Sequence, residues 1–101
     1  MKKLDMSDIA IIVAIGDYHK KVGGWPTFEI VFEKVKSYEI AMWEDMFKKK
    51  CKKLSDMRLV EFLYDDMSKP PKWLTIPKTV EDNFDLYKAE LKKWIEEKEA
   101  G

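Results

Sequence analysis

The hydrophobic periodicity of this chain changes near residue 58, and that change limits the folds available to it. Before that point, apolar residues recur every three or four positions, as they do on the buried faces of helices. Residues 58–64, RLVEFLY, are instead rich in strand-forming side chains, with alternate residues on one face. Residues 65–71, DDMSKPP, are typical of a turn, and residues 72–76, KWLTI, suit the returning strand. The pattern predicts a mainly α domain with a β-hairpin.

Three helices are predicted before the hairpin and one after it. The run from Ile9 to Ile15 is apolar on every side, which is typical of a central helix. A short extended link follows it, because the residue before Pro26 avoids the helical conformation. The predicted helices and their N-caps are residues 9–22 with Ser7 and Asp8, 28–36 with Thr27, 38–56 with Ser37, and a last helix beginning at Thr79, where Asp82 would complete a capping box.

Composition is that of a globular chain with one domain. A length of 101 residues and a hydrophobic fraction of 46% suit a single modest core. The one cysteine, Cys51, excludes an internal disulfide framework and favours a reducing, cytoplasmic location. No apolar run approaches the roughly 18 residues that a membrane span needs, so no membrane partner is expected.

Two features of the composition point in opposite directions on growth temperature. Glutamine is absent, asparagine occurs once, and 38% of the residues are charged, which favours a thermophilic source. The chain also contains six methionines, which favours a mesophilic one. Both interpretations remain open on the sequence.

The net charge of zero conceals an uneven distribution along the chain. Residues 1–47 carry 6 basic and 8 acidic side chains, and residues 79–101 carry 4 and 7. Residues 48–78 between them carry 9 basic and 4 acidic side chains, an excess of +5. Positive charge concentrated in one segment indicates a polyanionic partner better than net charge does.

The densest positive segment is residues 47–54, FKKKCKKL, in the predicted third helix. A helical wheel places Lys50 at the flank of the apolar side and Cys51 at its edge. Glu44 and Asp45 each precede a lysine by four residues, which also suits an ordinary solvated helix face. The predicted apolar stripe is Ile40, Trp43, Phe47 and Leu54, and the outward lysines are Lys48, Lys49, Lys52 and Lys53.

Two segments around the predicted hairpin carry a recognisable pattern. Residues 48–66, KKKCKKLSDMRLVEFLYDD, contain a helix end, a tight turn and a strand; residues 72–84, KWLTIPKTVEDNF, contain a strand that leads into another helix. With the order of the other elements, this pattern resembles winged helix-turn-helix proteins, in particular the small MarR, ArsR and PadR regulators, over roughly residues 9–95. In one departure, Met57 and Arg58 replace the glycine usual before the first wing strand.

The resemblance implies a winged helix-turn-helix core over residues 1–78 and an added C-terminal helix over residues 79–101, within one domain. It also implies a non-enzymatic transcriptional regulator that binds double-stranded DNA with its third helix in the major groove. Lysines would hold about four to seven phosphates per subunit. The residues expected to contact DNA are Tyr38 and Met42 at bases, and Lys48, Lys49, Lys52, Lys53, Arg58, Lys69 and Lys72 at phosphates and the flanking groove.

The outward face of the third helix carries no Arg, Asn or Gln, the side chains that most often read bases. Acidic flanks and Asp45 on that face suit a different partner. The alternative function is therefore a protein-interaction module on a winged-helix scaffold, such as a viral or plasmid-encoded inhibitor of a host complex.

The last helix carries a seam of apolar residues spaced four and three apart, as in a coiled coil. Such a seam can pack on the first helix of the same chain or pair with its copy in a homodimer. Dimerisation is the preferred interpretation, because it would present two reading heads to DNA. The residues of the predicted dimer interface are Phe84, Tyr87, Leu91, Trp94 and Ile95.

Few other residues suggest chemistry. His19 has no partner at metal-ligand spacing, so it is expected to be a surface residue, and no metal or cofactor site is expected. Cys51 is either a small apolar residue or, if its lysine neighbours favour a thiolate, a redox sensor. Asp65 and Asp66 are expected to form turn hydrogen bonds. No catalytic motif is present, and no small-molecule effector is indicated.

Overall fold

A computed structural model describes residues 4–100 as a mainly helical domain with one two-stranded antiparallel sheet, so the coarse fold class predicted from the sequence is confirmed. Within those residues, no helix is both long and apolar enough to cross a membrane. The elements in chain order are α1 Met6–Val22, α2 Phe28–Ser37, α3 Glu44–Asp56, β1 Glu61–Leu63, β2 Trp73–Thr75, α4 Lys78–Glu81 and α5 Phe84–Ala100.

Helix α1 is the central element, as its all-round apolar sequence predicts. Every residue from Ala10 to Gly16 is buried, and α1 packs against α2, α3, α5 and β2. Its N-cap is Asp5, and neither Ser7 nor Asp8 takes that place. The helix begins earlier than predicted because Asp5 and Asp8 form a reciprocal capping box, in which each carboxylate accepts the other residue's backbone N–H.

The hairpin forms where the periodicity changes, but its strands are shorter than predicted. Phe62 pairs with Leu74 at the centre of the register. The extended link before α2 also joins this sheet, because Thr27 bridges to Trp73 and the Leu74 N–H donates to the Pro26 carbonyl at 3.0 Å. The segment between α1 and α2 therefore lies alongside β2 as a short third extended segment.

The last predicted helix is divided in two. Helix α4 begins after Pro77 without a side-chain cap, so the predicted capping box of Thr79 and Asp82 is wrong. The chain turns at residues 82–83, where the Asn83 amide donates to the Thr79 carbonyl at 2.9 Å, and α5 then begins. The break lies between two buried side chains, Val80 in α4 and Phe84 in α5, and the turn allows both to reach the core.

The apolar seam of α5 packs on α1 of the same chain. Phe84 and Leu91 are buried, and Tyr87, Trp94 and Ile95 pack partly buried against the core. Intramolecular packing on α1 is therefore observed, and Phe84 and Leu91 are not free to form a dimer interface. The physical reason is that α1 has no other element to cover this side, and α5 supplies a matching stripe. The assignment of Tyr87, Trp94 and Ile95, which keep partial exposure, to a dimer interface stays a prediction.

Gly16 lies where the ring of Phe84 from α5 packs on α1. A Cβ atom at this position would overlap the ring of Phe84, which is fully buried. Glycine is therefore required here by packing, since the absence of a side chain makes room for the aromatic ring.

We expect Gly16→Ala to lower the free energy of unfolding by about 1–3 kcal/mol, because the Phe84 ring must leave its place in a packed core. The change is measured by urea denaturation followed by circular dichroism. Gly24→Ala is the control, since nothing lies within 4 Å of a Cβ there, and its effect should stay within about 0.5 kcal/mol. Equal stability of the two variants would contradict the packing role of Gly16.

Candidate nucleic-acid interface

Helix α3 begins six residues later than predicted. Tyr38 and Glu39 form a turn at the end of α2, where Glu39 adopts a φ of 62°, and residues 40–43 are not helical. Ser37 does not cap α3, because its hydroxyl donates back to the Lys34 carbonyl within α2. A non-glycine residue with positive φ interrupts any helix, so the amino-terminal turn of the predicted recognition helix does not exist.

The two residues expected to face bases do not reach an exposed face. Met42 is only 8% exposed and belongs to the core, because its side chain anchors the link before α3. Tyr38 is half-buried and borders a cavity together with Asp17 of α1 and Leu91 of α5. Burial, and secondarily Asp17, raises the pKa of Tyr38 to about 12. The predicted base contacts of Tyr38 and Met42 are wrong for these reasons.

The lysines of α3 fall into two groups. Lys48, Lys49 and Lys52 are exposed, as predicted. Lys48 lies 3.4 Å from Glu44, and Lys52 lies 3.8 Å from Asp56, both as pairs four residues apart. Such exposed pairs contribute little to stability and open readily. These three lysines therefore remain available to a ligand.

Lys53 is not part of the outward face, and neither is Lys50. The ammonium of Lys53 donates to Asp8 Oδ2 at 2.6 Å. Lys50 donates to Asp5 Oδ2 at 2.8 Å and lies 3.6 Å from Asp8 Oδ1. The prediction that Lys53 holds phosphate is contradicted, because its charge is engaged by a carboxylate 45 positions away.

Asp8 explains why these two lysines turn inward. The side chain of Asp8 is 0% exposed, and its Oδ1 accepts no hydrogen bond from residues 4–100. The negative charge at this oxygen is compensated by the Lys50 ammonium, 3.6 Å away. A buried carboxylate without cationic partners costs several kcal/mol. Burial by itself would raise the pKa of Asp5, but hydrogen bonds from Lys50, Ser7 and the Asp8 backbone hold it well below its usual range.

The hairpin region contributes the other exposed cations. Arg58, Lys69 and Lys72 are all exposed, as the sequence predicts for a wing. The Lys72 ammonium lies 4.9 Å from the centre of the Trp73 ring, which holds this side chain beside the sheet. Asp66 accepts hydrogen bonds from the backbone and hydroxyl of Ser68, and these lower its pKa, so its predicted role in the turn is confirmed.

The turn between α3 and β1 is built without glycine. Arg58 adopts a φ of 62°, the left-handed conformation that glycine enters most easily. The Arg58 N–H donates to the Ser55 carbonyl at 3.0 Å, and the next N–H, of Leu59, donates to the Leu54 carbonyl at 2.9 Å. Arginine therefore occupies the position of the usual glycine and presents a cation between α3 and the hairpin.

The start of α3 is apolar and acidic. Trp43, predicted to lie in the buried stripe, is 77% exposed and forms the N-cap without a side-chain hydrogen bond. Met46 is also exposed, and Glu44 and Asp45 complete the first turn. The stripe prediction failed for Trp43 because it assumed continuous helix from residue 38, whereas the observed start rotates this position outward.

Cys51 and His19 are structural residues in this arrangement. The Cys51 thiol is completely buried, and burial together with the nearby Asp8 charge raises its pKa to about 12, which opposes the thiolate of a redox sensor. His19 is half-buried, and its ring stacks on Trp25 with centroids 3.7 Å apart. Among residues 4–100, no three His, Cys, Asp or Glu side chains lie close enough together to bind a metal ion.

Comparison with known proteins returned no match, whether to family models, curated proteins or solved structures. Interpretation of the site therefore depends on its own geometry.

Two features of this surface were missed from the sequence. The ion pairs between α1 and α3 join residues 42 and 45 positions apart, Lys50 with Asp8 and Lys53 with Asp8, and local spacing does not indicate them. One signal in the sequence could have indicated the position of Asp8. Asp5 and Asp8 have the three-residue spacing of a capping box, which would direct the Asp8 side chain back to the first turn of the helix. The exposure of Trp43 had no local signal, because it depends on where α3 begins.

We expect Lys53→Met to lower the free energy of unfolding by about 2–3 kcal/mol near neutral pH, because the buried carboxylate of Asp8 loses its shortest hydrogen bond. Lys52→Met is the control on the same helix, since Lys52 is 76% exposed at its side chain, and its effect should be within about 0.5 kcal/mol. Chemical denaturation measures both. Similar losses from the two variants would show that Lys53 has no special role.

The Cys51 thiol should react with a disulfide reagent such as DTNB only when the chain opens. Its burial and its raised pKa leave almost no accessible thiolate in the folded state. The reaction rate, followed by absorbance, should rise in parallel with the unfolded fraction as urea is added. Rapid modification of the native protein without loss of structure would instead support the redox-sensor interpretation.

Proposed function

We propose that this chain is a winged-helix protein that binds double-stranded DNA, chiefly through phosphate contacts, and acts as a small regulator of transcription. The observation that carries the proposal is the set of exposed cations on α3, on the turn after it and on the hairpin. These elements follow one another directly in the chain. The six cations are Lys48, Lys49, Lys52, Arg58, Lys69 and Lys72.

The order of elements supports the winged-helix interpretation. Three helices precede the hairpin, and the extended link between α1 and α2 pairs with β2 through Thr27 and Trp73. A hairpin extended by a third short segment from between the first two helices is the arrangement expected of a wing. Fold alone does not assign function, so the proposal depends on the charges that these elements carry.

The revised contact set favours weak sequence discrimination. Lys50 and Lys53 are occupied by Asp5 and Asp8, and the remaining cations are suited to phosphates. The first turn of α3, which would lie nearest the bases, presents Trp43, Glu44, Asp45 and Met46. None of these offers the paired hydrogen-bond donors of arginine that read guanine. Affinity should therefore vary little between duplexes of different sequence.

Fluorescence anisotropy with duplexes of about 20 base pairs tests the proposal. Affinity should fall steeply between about 50 and 200 mM salt, because each neutralised phosphate contributes about 0.9 to the slope of log K against log salt. Replacing Lys49 and Lys52 together by alanine should reduce that slope by about 1.8 per subunit. Two unrelated duplexes should bind with affinities within about tenfold of each other.

The matched control is the double variant Lys92→Ala/Lys93→Ala on α5, which removes two exposed lysines and the same net charge. It should leave the slope unchanged, since α5 lies outside the proposed contact region. Lys53 is left intact in both variants. Its replacement would leave Asp8 without its hydrogen bond, and a loss of affinity could then be due to unfolding. An equal effect of both variants, or affinity independent of salt, would rule out this DNA surface.

A protein-interaction module is the second candidate, favoured by Trp43 and Met46 at the start of α3. Exposed tryptophan is enriched among residues that dominate binding energy at protein interfaces. This candidate predicts no binding of duplex DNA at low salt, and loss of a protein partner on Trp43→Ala. Salt-dependent duplex binding that is insensitive to Trp43→Ala would exclude it as the main function.

A further inference from the structure

A groove of about 590 Å³ between α1 and α2 is separate from the proposed DNA surface. Its apolar wall residues include Ala14, Tyr18, Val22 and Ile30. Val22 and Ile30 are 62% and 38% exposed, so the mouth of the groove presents aliphatic side chains to solvent. No residue of α3 or of the hairpin lines it. An exposed apolar groove of this kind marks a binding surface in many proteins.

Opposite charges stand on the two walls of the groove. Lys21 on α1 and Glu29 on α2 are exposed, and neither has an ion-pair or hydrogen-bond partner within residues 4–100. The other acidic residues of the lining are already paired, Asp17 with Lys88 at 3.0 Å and Glu33 with Lys36 at 2.8 Å. Lys34 of α2 also lines the groove, but it is half-buried, with its ammonium 5.7 Å from the centre of the Tyr38 ring. The exposed charges without a partner are therefore Lys21 on one wall and Glu29 on the other.

We propose that the occupant of this groove is the same groove of a second copy of the chain, in a twofold-symmetric homodimer. In a twofold dimer, a contact between one residue of the first copy and another residue of the second is repeated with the two copies exchanged, so every contact occurs twice. Lys21 of each copy would then face Glu29 of the other, and the aliphatic side chains of Val22 and Ile30 would meet across the axis. Apolar contact at the centre and charge pairing at the rim match the anatomy of a protein interface.

The distribution of charge favours a second copy over other occupants. A ligand carrying one sign of charge would be attracted to one wall and repelled by the other. A copy rotated by 180° presents both signs in the required reversed order, with no further adaptation. The DNA-binding elements contribute nothing to the groove, so association here would leave α3 and the hairpin of both copies exposed.

The two helices set the length of the proposed interface. Helices of 17 and 10 residues extend about 25 and 15 Å along the walls of the groove. An interface of about 800 Å² per partner would cover roughly an eighth of the 6861 Å² surface of the chain. The seam of α5 cannot serve instead, since its central residues are already buried against α1.

Sedimentation equilibrium of the full chain without DNA tests the dimer independently of the proposed function. The wild-type protein should show a concentration-dependent monomer–dimer equilibrium. Ile30→Asp should raise the dimer dissociation constant at least about 30-fold, because a charge would enter the apolar centre. Leu86→Asp is the control, since Leu86 is an exposed aliphatic residue on α5 outside the groove, and it should have no effect.

Charge-reversal variants distinguish a loss of the ion pairs between the two copies from a loss of folding. Lys21→Glu alone and Glu29→Lys alone should each weaken the dimer by roughly tenfold, because each places like charges opposite one another twice. The double variant should restore most of the affinity, since it exchanges the two walls. Thermal melts followed by circular dichroism establish that all variants fold.

The same measurements can overturn the inference. A chain that stays monomeric throughout, a double variant no better than the single ones, or equal effects of Ile30→Asp and Leu86→Asp would each refute the dimer. A monomer that binds an apolar dye, with loss of binding on Ile30→Asp, would assign the groove to a small ligand instead. Failure of the dimer would leave the DNA-binding proposal untouched, because salt-dependent binding is measured separately.

Discussion

The ion pairs between Asp8 and the lysines of α3 are the interaction on which the arrangement of the molecule depends. Asp8 completes the capping box that Asp5 begins at the start of the central helix, and it is completely buried, so its carboxylate must be compensated inside the fold. Lys53 and Lys50 provide that compensation from α3, at 2.6 and 3.6 Å. They thereby hold the face of α3 that carries them against the start of α1. Charge compensation, as much as the packing of Phe47 and Leu54, sets the orientation of this helix.

That orientation decides what the molecule can present to a partner. Of the five lysines in residues 47–54, Lys50 and Lys53 are half-buried and held by Asp5 and Asp8, and the other three stay exposed. The surface is less basic than the sequence suggests, which shifts its expected chemistry towards phosphate contacts without base reading. The late start of α3 leaves Trp43 exposed, and this residue is the main reason to retain a protein partner as an alternative.

Periodicity predicted the order and type of the helices and the hairpin, because burial of one face imposes a spacing of 3.6 residues on helices and 2 on strands, but it missed the division of the last helix into α4 and α5. The boundaries between α2 and α3 were wrong because Glu39 takes a left-handed conformation that its residue type disfavours. The seam of α5 was recognised as a packing surface, but its central residues Phe84 and Leu91 pack within the chain and not on a copy. An apolar stripe has the same spacing whether it packs on its own chain or on a copy, so its neighbour cannot be deduced from spacing.

Local sequence by itself determined the central helix, the hairpin with its Asp66 turn and the exposure of Lys48, Lys49 and Lys52, since each depends on residues within about one or two turns of one another. Tertiary structure alone decided the burial of Asp8, the inward turn of Lys53 and the withdrawal of Met42 into the core. These outcomes depend on contacts between distant segments. A buried carboxylate must be compensated by whichever cations the fold brings within reach, and here Lys50 and Lys53 are 42 and 45 positions away from Asp8 along the chain.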